Sequence, residues 1–131
     1  MKKISVLLLC ALVLCIAASA SAYDPSYFNK EVYSITNLKT LTSPPKSSTG
    51  KNWHIEWGSA ANMESYRRAV VRVHAGYNAA SATWVYSTKS SAYHPYKTGY
   101  GNGGAKVELR GRLDNRDGDY APIILQGYFF Q

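Results

Sequence analysis

The strongest pattern in the chain lies near its C-terminus, where polar and apolar residues alternate without a break over residues 106–113. Val107, Leu109, Gly111 and Leu113 fall on one side; Lys106, Glu108, Arg110 and Arg112 fall on the other. A repeat of two puts successive side chains on opposite faces of a strand, so this segment predicts a half-buried strand with one wet face. Residues 114–119 follow with three aspartates, an asparagine and an Asp-Gly step, the signal of a hairpin. Residues 121–130 return as a strand with Ile123, Leu125 and Phe129 on one face. Pro122 sits near its start, where a missing donor is tolerated.

The same repeat recurs upstream. In residues 52–57, Trp53, Ile55 and Trp57 face one way and Asn52, His54 and Glu56 the other. Residues 58–62 then turn the chain. Residues 67–77 carry Ala69, Val71, Val73, Ala75 and Tyr77 in alternation, whereas Met63, Tyr66, Val70 and Val73 also fit a helical spacing with Asn62 as cap. Three valines within four residues favour the strand, because branched side chains are stiff and suit a pleated surface. A helical turn over residues 63–66 is compatible with this reading. Residues 78–81 read as a turn, and residues 82–88 as a strand with Trp84 and Tyr86 on one face. Residues 31–41 predict a first strand with Tyr33 and Ile35 on one side. Residues 42–50, with Pro44-Pro45 and a Ser/Thr/Gly cluster, form a loop, as do residues 90–104 with their Tyr, Gly and Ser. Short strands between such turns predict an all-β fold, a small antiparallel β-sandwich or open barrel, without an internal repeat.

The N-terminal stretch follows a different logic. Met1-Lys2-Lys3 is positive, residues 4–18 carry no charge and are mostly apolar, and residues 19–22 are Ser-Ala-Ser-Ala. That order of basic, apolar and small residues is the layout of a secretory signal peptide. Ala20-Ser21-Ala22 fits cutting before Tyr23, and Ala18-Ser19-Ala20 fits cutting before Ser21. The apolar run is about 15 residues, short of the roughly 20 that a spanning helix requires. A lipid anchor requires a small residue before its cysteine, yet Leu9 precedes Cys10 and Leu14 precedes Cys15. Residues 1–22 are therefore read as a cleaved signal and residues 23–131 as one secreted domain with no transmembrane segment.

Both cysteines would leave with the signal, so the mature chain would hold no disulfide, no thiolate nucleophile and no thiolate metal site. Small exported domains often depend on disulfides, but about 109 residues still suffice for one core. The formal charge of +7 falls by two with Lys2 and Lys3 and stays positive. A basic exported protein is drawn to anionic surfaces such as wall polymers, phospholipid headgroups, nucleic acid or acidic polysaccharide. All eleven Tyr, three Trp and three Phe lie beyond the leader. Such residues fit half-buried pleated surfaces and are favoured in contacts.

Residues 96–110, Tyr-Lys-Thr-Gly-Tyr-Gly-Asn-Gly-Gly-Ala-Lys-Val-Glu-Leu-Arg, lead into Leu113-Asp114-Asn115 and a closing Gly127-Tyr128-Phe129. With its leader and short β-rich body, the chain resembles a group of small secreted proteins of Gram-positive bacteria classed as a domain of unknown function. It is also loosely similar to bacteriocins of the lactococcin 972 type, which are basic, Tyr-rich, cysteine-free β-sandwich proteins. The resemblance implies export and a β fold, and assigns no catalytic or binding residue.

Several constellations carry candidate chemistry. The acidic loop at residues 114–119 holds oxygen ligands of the kind calcium takes, but no frame through it matches an EF-hand: Tyr120 falls at the glycine position in the best one, and no bidentate Glu follows. A solvated loop fits better. His54 and Glu56, with Arg67, Arg68, Arg72, His74 and Arg110 elsewhere, supply the base, acid and phosphate clamp of a small ribonuclease. His54, His74 and His94 have no zinc-ligand spacing, and no nucleotide fingerprint is present. Arg68, Arg72 and His74 share the polar side of one strand, and Lys106, Arg110 and Arg112 that of another. If the two strands are neighbours, they form a basic stripe suited to phosphates or carboxylates. Tyr93, Tyr96 and Tyr100 form an aromatic loop suited to short-range contact. The expectation is a non-enzymatic exported protein without a cofactor, acting by surface contact on anionic cell-envelope polymers or on a surface protein of another cell. A small secreted hydrolase such as a ribonuclease, or an accessory structural protein, is the alternative.

Overall fold

The computed structural model describes residues 25–33, 37–44, 50–101, 105–115 and 121–131. Within them the chain forms nine strands and no helix: β1 (Ser26–Val32), β2 (Lys39–Thr42), β3 (Asn52–Trp57), β4 (Arg67–Ala75), β5 (Asn78–Ala79), β6 (Trp84–Tyr86), β7 (His94–Pro95), β8 (Glu108–Asn115) and β9 (Ile123–Phe130). They build two antiparallel sheets. The first runs β1-β9-β3-β7; the second runs β2-β8-β4-β5, with β6 also pairing β4. The two sheets do not close into a barrel, and the fold is a small antiparallel β-sandwich, as expected.

Alternation decides what lies between the layers. Phe28, Trp53, Ile55, Ile123, Leu125 and Phe129 point inward from the first sheet and are fully or almost fully buried. Val71, Val73, Leu109 and Leu113 meet them from the second. Each such side chain contributes about 1.5–3 kcal/mol relative to exposure. Gly111 takes an inward position on β8 because the space is filled from both sides. A Cβ there would lie 2.9 Å from a Leu41 methyl and 3.2 Å from one of Leu125. At one end of the sandwich the layers are tied by a hydrogen bond between the hydroxyls of Ser26 and Thr42, 2.7 Å long.

Four expectations are corrected. The strand over residues 31–41 is two strands in opposite sheets, β1 and β2. Phe28 and Val32 set the inward phase of β1, which leaves Tyr33 exposed with its hydroxyl donating to Glu31, 2.8 Å away. Ile35 lies outside the described residues. Second, β8 and β9 do not form a hairpin: β8 pairs with β2 and β4, and β9 with β1 and β3. The two strands thus belong to different layers. Residues 116–120, and with them the calcium reading of this loop, lie outside the described residues. Third, no helical turn forms at residues 63–66; Glu64 and Arg67 exchange backbone hydrogen bonds of 3.0 and 3.1 Å and turn the chain into β4. Fourth, the turn after β4 falls at Gly76-Tyr77, ahead of residues 78–81. Gly76 has φ of 59°, which suits a residue without a Cβ, and Tyr77 is fully exposed. The long loop at residues 90–104 contains β7, which pairs with β3, while residues 102–104 are outside the described residues.

Candidate functional site

β4 and β8 are hydrogen-bonded neighbours, so the two halves of the basic stripe do meet on the outer face of the second sheet. The register sets Arg68 opposite Asp114, Val70 opposite Arg112, Arg72 opposite Arg110 and His74 opposite Glu108. Two of the four arginines are neutralised. Arg68 forms an ion pair with Asp114 across the strands. Arg110 pairs with Glu108 two residues back on its own strand, and donates to the Gly76 carbonyl at 3.0 Å. Arg72 and Arg112 have no carboxylate partner among the described residues. Arg112 donates to the Leu113 carbonyl at 3.3 Å.

Arg72 is held by His74, whose Nε2 accepts from Arg72 Nε at 3.0 Å. That bond requires a lone pair on Nε2, so the imidazole is neutral with its proton on Nδ1. Burial, and then the charges of Arg110 and Arg72, push the His74 pKa below its ordinary value. His74 therefore positions an arginine and adds no charge of its own at neutral pH. Lys97 also acts on His74 in the same direction, which brings a further cation to this end of the face. Val70 is only 3% exposed on the wet side. Its neighbours there are Arg68 and Arg72 along the strand and Arg112 and Val85 across it, so long side-chain stems cover it.

Lys97 also lines a groove of about 460 Å³ together with Lys51, Asn52, Pro95, Tyr96 and Gly99. Lys106, just before β8, is exposed. The candidate site is thus the arginine pair Arg112 and Arg72 on the second sheet, with Lys97 and Lys51 in a groove beside β3 and β7 of the first sheet. The two lysines carry no strand periodicity, because they lie next to short or irregular segments, and only the tertiary arrangement brings them here.

The three tyrosines separate. Tyr93 is 70% exposed and leans on His54, with ring centroids 4.4 Å apart and the planes tilted by 45°, on the outer face of the first sheet. Tyr96 and Tyr100 pack against the core. Burial raises the pKa of Tyr96. The aromatic loop therefore does not flank the arginines as one unit.

The ribonuclease constellation is divided in the same way. His54 and Glu56 lie 3.8 Å apart on the outer face of the first sheet, with the core between them and Arg68, Arg72, His74 and Arg110. Burial lowers the His54 pKa against the opposing pull of Glu56. His94 occupies a third place. It is buried, stacked 3.9 Å from Trp84 and hydrogen-bonded through Nε2 to the Tyr86 hydroxyl.

One feature of the first sheet escapes the reading of inward positions. On its outer face Tyr27 and Tyr128 are cross-strand partners with centroids 5.3 Å apart. Phe130, two residues along β9, stacks on His54 at 4.3 Å and 11°. Tyr93 extends the same row. The signal was present as two aromatics at outward positions of β9, but Tyr27 and Tyr93 join them only through pairing. No family model, no curated protein and no solved structure matches this chain.

Proposed function

We propose that this protein is exported, is not an enzyme, and acts by holding anionic polymers of a cell envelope against the arginine pair on its second sheet. The supporting observation is that Arg72 and Arg112 are diagonal neighbours on one rigid ladder, with no carboxylate partner among the described residues. The β-ladder fixes the backbone positions of the two arginines before any ligand arrives. His74 holds one of them by its Nε, leaving the terminal nitrogens for phosphate or carboxylate oxygens. Lys97 and Lys51 extend the attraction along the groove, as a linear polyanion needs. Action on neighbouring cells, in the manner of a bacteriocin, is one version of this role.

The test is retention on a polyphosphate or acidic-polysaccharide resin. Wild type should be retained at low salt and released as salt rises, because exposed charges are screened within about 10 Å at 0.1 M. Joint replacement Arg72→Glu and Arg112→Glu should abolish retention at low salt, while Arg68→Gln, which removes an already neutralised cation, should lower it far less. Unchanged retention of the double variant would end this reading.

A further inference from the structure

The outer face of the first sheet is chemically unlike that of the second. The outward positions of β1, β3 and β9 hold no lysine or arginine; Glu31 and Glu56 are their acidic residues. Across this face runs the row Tyr27, Tyr128, Phe130, His54 and Tyr93, each ring leaning on or adjoining the next. Tyr27 and Tyr128 are 51% and 44% exposed. They are also braced: the Gln126 amide donates to the Tyr27 hydroxyl at 3.4 Å while its oxygen accepts from the Ala60 N–H at 3.2 Å. Glu56 stands directly opposite Tyr128 on the next strand and is exposed.

We propose that this row is a binding platform for an uncharged polysaccharide chain. A pyranose ring has one apolar face of C–H bonds and a rim of hydroxyls. The electron-rich faces of tyrosine and phenylalanine take the first, and the Glu56 carboxylate accepts hydrogen bonds from the second. A run of rings on a strand scaffold suits a repeating polymer, because each residue of the polymer can meet the next ring. Charge selects against the other occupants. In a basic protein this face carries carboxylates and no cation at its strand positions, so nucleic acid or an anionic lipid surface would be repelled where it should be held. A symmetric pairing with a second copy would bring Glu31 and Glu56 of both chains onto one self-complementary patch, like charge toward like. The proposal is independent of the arginine path, which lies on the opposite side of the core.

The experiment is co-sedimentation of the full chain with insoluble chitin, cellulose and xylan at low salt and at about 1 M salt, where exposed ionic attraction is screened. The expected result is retention on at least one of the three that does not weaken with salt. Joint replacement Tyr27→Ala and Tyr128→Ala should reduce the affinity about ten-fold or more, while Arg72→Glu with Arg112→Glu leaves it unchanged. Both tyrosines are half exposed, so the fold should persist, as an unchanged circular dichroism spectrum would verify. If that variant unfolds, Tyr93→Ala, at the most exposed ring of the row, replaces it and should lower retention alone. Absence of wild-type retention on all three polymers, or equal retention of the folded tyrosine variant, overturns the proposal. So does a wild-type dimer in sedimentation velocity that dissociates in the tyrosine variant, since the row would then be a contact between copies.

Discussion

Single side chains show how tightly the layers are fitted. At Gly127 a Cβ would lie 2.3 Å from the Glu56 carbonyl oxygen, a backbone atom of the neighbouring strand that cannot rotate away. Gly127→Ala should therefore cost more than the about 1–3 kcal/mol typical of overpacking, while Gly111→Ala, whose neighbours are the methyl ends of leucines, should stay within that range. Urea midpoints of the two variants check the order. The buried histidines predict a pH effect of definite sign. His54, His74 and His94 all have pKa values below the ordinary histidine value, with burial the leading cause in each. As pH falls through about 6.5 the unfolded chain takes up protons that the folded chain refuses, so stability is lost from there down to the folded pKa values. Above pH 7 all three are neutral in both states and this contribution is fully present. Tyr86 acts at the other end. Burial raises it to about 12, so stability falls as pH rises from about 10, where the unfolded phenol ionises. Denaturant titrations from pH 5 to 11 should trace a plateau bounded on both sides, and His94→Gln should soften the acid edge.

For whole strands, the legibility of the sequence tracked the completeness of the period-two pattern. β3 matches its expected span at residues 52–57, and the inward set of β8 and β9 is the expected one. The strand reading of residues 67–77 also prevails over the helical one: Ala69, Val71 and Val73 are fully buried in β4. Where the pattern broke, the reading failed. Lys30 occupies an inward phase of β1 and stays exposed because β1 is the edge of its sheet, and this masked the repeat carried by Phe28 and Val32. The hairpin between β8 and β9 failed for another reason. Turn chemistry specifies a local change of direction, but the partner of each strand is set by which apolar faces can be buried together. The outward face of β9 should be testable as an element. Tyr128→Ala alone should leave the thermal midpoint within a few degrees, since a half-exposed side chain away from the core usually changes stability by about 0.5 kcal/mol or less.

Taken as one body, the protein is two-sided: cationic on one outer face, aromatic and acidic on the other, with the core between. The two proposed contacts differ in physics, so salt should separate them within one molecule: retention on polyanions should fall steeply while retention on neutral polymer persists. Topology also makes a kinetic prediction. Consecutive strands β1 to β4 alternate between the sheets, and so do β7 to β9, so most native contacts join residues distant in sequence. Such topologies fold in milliseconds to seconds, and rarely in microseconds. Stopped-flow fluorescence of Trp53, Trp57 and Trp84 would report it; a main phase in microseconds would contradict it.

From its order of residues alone, this chain determined that it is all-β, which side chains of β3, β4, β8 and β9 line the core, and that two sets of arginines would face water. These follow from local rules: strand geometry assigns alternate residues to opposite faces whatever the strand is next to. The fold decided the rest. It chose a sandwich of two open sheets, placed β4 beside β8, spent Asp114 and Glu108 on two arginines, turned His74 into a neutral support for a third, and moved Tyr93 to the far face. Each of these depends on hydrogen-bond register between segments dozens of residues apart, which no local periodicity encodes.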